Sequence, residues 1–351
     1  MAFVLGIIGN TISVMNLAAG FIPSSGDLDG GSRVRLGVGL DTSGGLSEAG
    51  GDVPYMRTYN ANRDFIGEFF PGHREGVFGN SWMVWDEVDD GSFVDAWVRP
   101  RRDHEGQQPQ YLELNMIADD EDGICLAYVT HVWPDGHTFG WIGDWGRHCG
   151  HAWYHSNIVI DDAGHKTACT WLDKNHDNHI KVNSLKLHMP SFGRDETNGG
   201  TAHSSDWYCH HPAAIQFFDR GDPLFWWVLE GRGIDGVAES QDQHEQQQPH
   251  AFSRRSESLA GRLIISNSTA HGATELCESG SSYGPDFVSL AEGQFCDMET
   301  HTLYPLCEDN SATSCFDVDS RDLRPADLGS VVARSSFVVK RAKYGKVMEW
   351  H

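Results

Sequence analysis

The sequence predicts a mainly β protein, built as an antiparallel β-sandwich or barrel-like sheets with long disulfide-linked loops. Three observations carry this prediction. Short runs of alternating polar and apolar residues recur along the chain, and long amphipathic helical runs are scarce. The chain has 39 glycines, which punctuate those runs with turns. Eight cysteines, at 125, 149, 169, 209, 277, 296, 307 and 315, form no CxxC pair. An even count at wide spacing reads as up to four disulfides and an oxidising compartment, with buried free thiols as the alternative. Their spacing leaves the pairing open.

At 351 residues, one large domain or two closely joined ones both fit. Hydrophobic residues make up 39% of the chain and aromatic ones 11%, ample for a core. The formal net charge of -24 repels phosphate backbones and anionic lipid, so no nucleic-acid partner is expected.

Residues 1–23 are apolar, uncharged and rich in small residues, like a secretory h-region, although Asn10 and Asn16 interrupt the run and no basic residues precede it. A retained segment packed on the body is the alternative. This places the protein in the secretory pathway or outside the cell, with no membrane span in the mature body. Strand signals follow at 33–40, 53–60, 63–70, 81–87 and 92–98, with a charged, exposed loop at 99–110. The runs at 111–117 and 124–133 read as central strands, and 166–172 and 180–187 as two more. A polar loop covers 190–206, and a short helix is expected at 213–218. Residues 239–258 are of low complexity and read as a mobile loop. The loop separates a β-rich aromatic-pocket region, 24–238, from a cysteine-rich β/irregular region, 259–351, packed on the first. The latter holds strands at 261–267 and 335–341. Asn267-Ser268-Thr269 is the only N-x-S/T sequon and agrees with a secreted glycoprotein.

The chemistry is sought in two aromatic concentrations. WPDGHTFGWIGDWGRHCGHAWYHSNIVI, residues 133–160, carries Trp133, Trp141, Trp145 and Trp153, and its glycines at 136, 140, 143, 146 and 150 are expected to break any helix. Residues 207–227 add Trp207, Tyr208, Trp226 and Trp227. Aromatic surface with polar tips can pave a ligand pocket, whereas filling a sandwich core explains the same rings. For a pocket, Trp141, Trp145, Trp153, Trp207, Tyr208, Trp226 and Trp227 are the substrate-binding candidates. Asp144, Arg147, His148, His151 and Arg232 are the catalytic ones. The ligand would be a small, largely apolar organic molecule with one or two oxygens.

A metal is the weaker expectation. Asp173, Asn175 and Asp177, with Ile180, copy the start of a calcium loop, but the twelfth position is Ser184 and the bidentate carboxylate is missing. An Asx-rich hairpin turn fits equally. Cys149, His151 and His155 lack a third announced ligand. No GxSxG, HExxH, P-loop or GxGxxG occurs, and no other cofactor is expected. Three uses fit these residues: a carbohydrate-binding or carbohydrate-active protein, a non-catalytic secreted effector, and a cyclase that orients apolar reactants by proximity and polarises an oxygen.

The strings WIGDWGRHCGHAWYHSN, CTWLDKNHDNHI, FCDMETHTLYPLC and KYGKVMEW resemble those of a group of secreted, cysteine-containing fungal proteins, across residues 110–350. Some fungal hetero-Diels–Alderases, from pathways joining tropolone units to humulene-type sesquiterpenes, resemble members of that group. The resemblance implies dehydration of a benzylic-type alcohol to an o-quinone methide, then cycloaddition to an apolar alkene. A general acid/base (His or Asp) and an oxygen-polarising donor (Arg or His) would suffice.

Overall fold

Alternation along YMRTY, YLELN and SLKLH sends apolar side chains to one sheet face and charged or aromatic ones to the other. A computed structural model describes residues 30–40, 49–71, 73–75, 81–83, 87–117, 123–174, 180–192, 204–210, 214–219, 257–308, 313–325 and 344–351. The chain divides into two units, Met1–Gln248 and Pro249–His351.

In the first unit the described residues form an eleven-stranded, curled antiparallel sheet. Its strands are β1 (Ser32–Val38), β2 (Tyr55–Tyr59), β3 (Phe65–Phe69), β4 (Phe93–Pro100), β5 (Tyr111–Asn115) and β6 (Ile124–Val132). They continue with β7 (Thr138–Ile142), β8 (Trp153–Tyr154), β9 (Cys169–Leu172), β10 (Ser184–His188) and β11 (Ile215–Phe218). The spatial order is β8-β9-β6-β1-β4-β3-β2-β5-β10-β11, and β7 also pairs with β6. Strand β6 forks: its first residues pair with β9 and its last five with β7. All nine of its residues are buried, as expected of a strand covered on both faces. The Cys125–Cys169 disulfide ties β6 to β9.

One face of this sheet is an aliphatic core of Val34, Leu36, Met56, Val98, Leu112, Leu114, Leu185 and Leu187, all buried. The other face carries Arg99, Glu68, Arg57, Glu113, Lys186 and Gln216 in register across six neighbouring strands, with alternating charge. Gly37 lies opposite Tyr128 on β6, and a Cβ there would collide with the Tyr128 ring.

Among the described residues two short α-helices interrupt the sheet, α1 (Asp144–His148) and α2 (Ser205–His210). Helix α1 corrects the expectation that glycine breaks every helix in this stretch. It needs only one turn, closed by the Cys149 N–H on the Trp145 carbonyl, and Gly146 leaves room for Thr170 where a side chain would not. The helix expected at 213–218 is also corrected: the alternation of Ile215 and Phe217 with Gln216 and Phe218 prevails, and the segment pairs with β10.

The second unit contains β12 (Arg262–Ser266), β13 (Asp286–Ser289), β14 (Gln294–Asp297), β15 (Thr302–Pro305) and β16 (Lys346–Trp350), in the order β15-β14-β13-β12-β16. Within this second sheet β12 runs parallel to both β13 and β16. Parallel neighbours need a crossover, and helix α3 (Ala273–Glu278) lies in the connection from β12 to β13. Leu263, Ile265, Val288, Phe295 and Phe316 form the core, with Phe295 and Phe316 stacked at 3.9 Å. Cys277–Cys296 and Cys307–Cys315 close the cysteine-bearing turns. Among the described residues no helix is long and apolar enough to cross a membrane. Segment 1–23, the strand at 335–341 and all but the last two residues of the loop at 239–258 lie outside the described residues.

Candidate functional site

Strand β7 delivers the aromatic stretch into α1, and the chain then enters β8. This path leaves Trp141 and Trp145 fully buried and Trp153 2% exposed. The Cys149–Cys209 disulfide joins the end of α1 to α2 and brings the two aromatic concentrations together. Trp145 lies 4.4 Å from Tyr208, Phe192 lies 5.9 Å from each, and Trp207 meets Tyr208 edge-on at 5.0 Å. His151 packs on Phe217 at 3.7 Å. Tyr208 is buried and Trp207 half-buried. The indoles of Trp141, Trp145 and Trp153 therefore fill this corner of the core, and a ligand would meet its rim. Trp226, Trp227 and Arg232 lie outside the described residues.

The rim is polar. Asp144 opens α1 with its carboxylate 3% exposed. Its Oδ1 accepts the Ala168 N–H at 3.0 Å, and its Oδ2 lies 2.8 Å from His165 Nε2. The turn Asp161–Gly164 sets that partner: Gly164 takes φ +81°, and the His165 N–H donates to Asp161 Oδ1 at 2.8 Å. With the proton on Nε2 donated to Asp144, Nδ1 of His165 is the basic nitrogen, and among the described residues nothing occupies it. The His165 side chain is 30% exposed. Arg147 stands 3.8 Å from Asp144 and stacks over Trp153 at 5.2 Å. Burial and the neighbouring Arg147 hold the His148 imidazole below its usual pKa, so it is neutral near pH 7. The structure thus gathers Asp144, Arg147 and His148 and adds His165, which sequence reasoning missed. Its partner is 21 residues away, and the turn sequence Asp161-Asp162-Ala163-Gly164 was the only local signal.

A second polar group also went unread. Arg57 and Glu113, both 0% exposed, pair at 3.0 Å, and the Tyr59 hydroxyl donates to the other Glu113 oxygen at 3.2 Å. The Tyr55 hydroxyl donates to Glu68 at 2.6 Å. Lys186 Nζ lies 5.8 Å from the Tyr111 ring and 5.9 Å from the Phe218 ring. Burial pushes its pKa down to about 8, partly opposed by Glu113 and aided by Arg63. Its signal was a charge at the centre of each of three alternating strands.

Asp173 of the calcium reading is buried, while Asn175 and Asp177 lie outside the described residues. Cys149 is bonded to Cys209, which removes it as a metal ligand beside His151 and His155. Among the described residues no group of three or more His, Cys, Asp or Glu side chains could hold a metal ion.

No family model matches the chain, and no curated protein matches it. Among solved structures, a LOX variant is similar at 13% identity over 31% of this chain and 14% of its own length, with a TM-score of 0.17. The chain thus spans a small part of that protein, and the likeness carries no argument.

Proposed function

We propose that the first unit is a cofactor-independent cyclase. It would join the o-quinone methide of a tropolone alcohol to a humulene-type alkene by hetero-Diels–Alder cycloaddition, the chemistry implied by the fungal resemblance. The supporting observation is the Asp144–His165 pair beside Arg147 at the edge of an aromatic wall. His165, oriented by Asp144, takes the proton of the ring hydroxyl and returns it to the departing benzylic hydroxyl, which leaves as water. Arg147 donates to the ring oxygen as charge gathers there. The cycloaddition then forms one C–C and one C–O bond with no net proton transfer, and proximity supplies its acceleration. The four disulfides fit passage through the secretory pathway.

Incubation of the protein with a tropolone alcohol and humulenol tests this reading. A higher adduct yield and a single stereochemical outcome are expected, and both fall about 100-fold toward the background in His165→Gln. Yield and stereochemistry equal to a protein-free control reject it. Binding on a glycan array without turnover would favour the carbohydrate-binding alternative.

A further inference from the structure

We infer that the charged face of β2, β5, β10 and β11 holds a separate site for a small planar organic anion, seated on Lys186 between the rings of Tyr111 and Phe218. This goes beyond the cyclase reading and does not rest on it.

The register builds the site. Lys186 stands opposite Glu113 on β5 and Gln216 on β11. Tyr111 pairs with His188, one step along the same face, and Phe218 pairs with Ser184, one step the other way. The two rings therefore flank the ammonium from opposite diagonals, and all three side chains are half-buried.

Lys186 is short of an acceptor at this point. The carboxylate oxygens of Glu113 already receive Arg57 and Tyr59. Among the described residues no hydrogen bond or ion pair closes on Lys186 Nζ, and the rings alone meet it. Arg57 stands between two carboxylates, Glu68 and Glu113, whereas Lys186 stands beside Glu113 alone, whose oxygens are already engaged. A cation drawn out of water without an acceptor is costly, and ring quadrupoles offset only part of that cost. A carboxylate or phenolate would supply that acceptor. Its attached ring would be flat, because the walls on both sides are ring faces.

Benzoate and its uncharged isostere benzamide serve as probes, titrated calorimetrically into the full-length protein. Benzoate is expected to bind and benzamide not. Lys186→Met weakens benzoate by about tenfold or more, while Lys186→Arg retains it. The charged and titratable groups facing Lys186 are Arg57, Glu113, Tyr59, Tyr111, His188 and Arg63. Burial and Lys186 itself lower the His188 pKa, so this imidazole is neutral near pH 7. Raising the pH through about 8 should therefore release benzoate from the natural protein and not from Lys186→Arg. Equal affinity for both probes, no benzoate binding, or unchanged binding in a folded Lys186→Met would overturn the site and leave a purely structural cation–ring contact. If Lys186→Met does not fold, the pH profiles of the natural protein and Lys186→Arg decide.

Discussion

His131 shows how far burial alone can move one side chain. It lies fully buried in β6, its Nε2 3.0 Å from Ser32 Oγ, and desolvation drives its pKa from 6.5 down to about 3. Between those two values the unfolded chain binds a proton that the folded chain refuses. The stabilisation is therefore complete above pH 6.5 and is lost as pH falls toward 3, reaching about 5 kcal/mol. Urea melts across this range should show a steep acid limb that His131→Gln flattens; an unchanged limb would assign the loss elsewhere. Arg57 and Glu113 are coupled differently. Arg57→Met strands a buried carboxylate and should cost about 3–5 kcal/mol, whereas the double replacement Arg57→Met with Glu113→Leu should cost less than either single change. Denaturant unfolding of the three variants measures the difference.

The Cys149–Cys209 bond acts between elements, holding α1 against α2 across a 60-residue loop. Replacing both cysteines with alanine should lower stability by about 4 kcal/mol if the constraint acts on the unfolded chain. It should also free Trp145 from Tyr208, which tryptophan fluorescence reports. Unchanged emission would show that the aromatic packing stands without the bond. Element by element, period-two alternation made β1 to β6 readable, because one half-buried face leaves that trace whatever its partners. Helix α1 was not readable. A single turn has little intrinsic stability, and it forms here because Asp144, Gly146 and Cys149 are held by Ala168, Thr170 and Cys209. The parallel β12–β13 pair was hidden for a related reason, since strand direction depends on a crossover that composition does not encode.

At the level of the whole molecule, the sequence foretold the convergence of two aromatic regions but not which rings stay open. Tryptophan content alone cannot separate a core indole such as Trp141 from a rim group, and His165 became a partner of Asp144 only through tertiary folding. One surface feature was readable from the start. Asn267 follows β12, is exposed, and heads the only sequon, so an enzyme could reach it. Protein from a eukaryotic secretory host should carry a glycan there, lost in Asn267→Gln; an unmodified peptide by mass spectrometry would contradict this. Strand β12 also sets a schedule. It pairs with β16 at Arg262 and Lys346, 84 residues further along. During translation its Leu263-Ile264-Ile265 edge must wait for its mate on the order of ten seconds. For that interval the nascent chain offers an apolar template to any other strand. Chaperone supply at the ribosome, and not the final stability, would then govern how much protein is recovered.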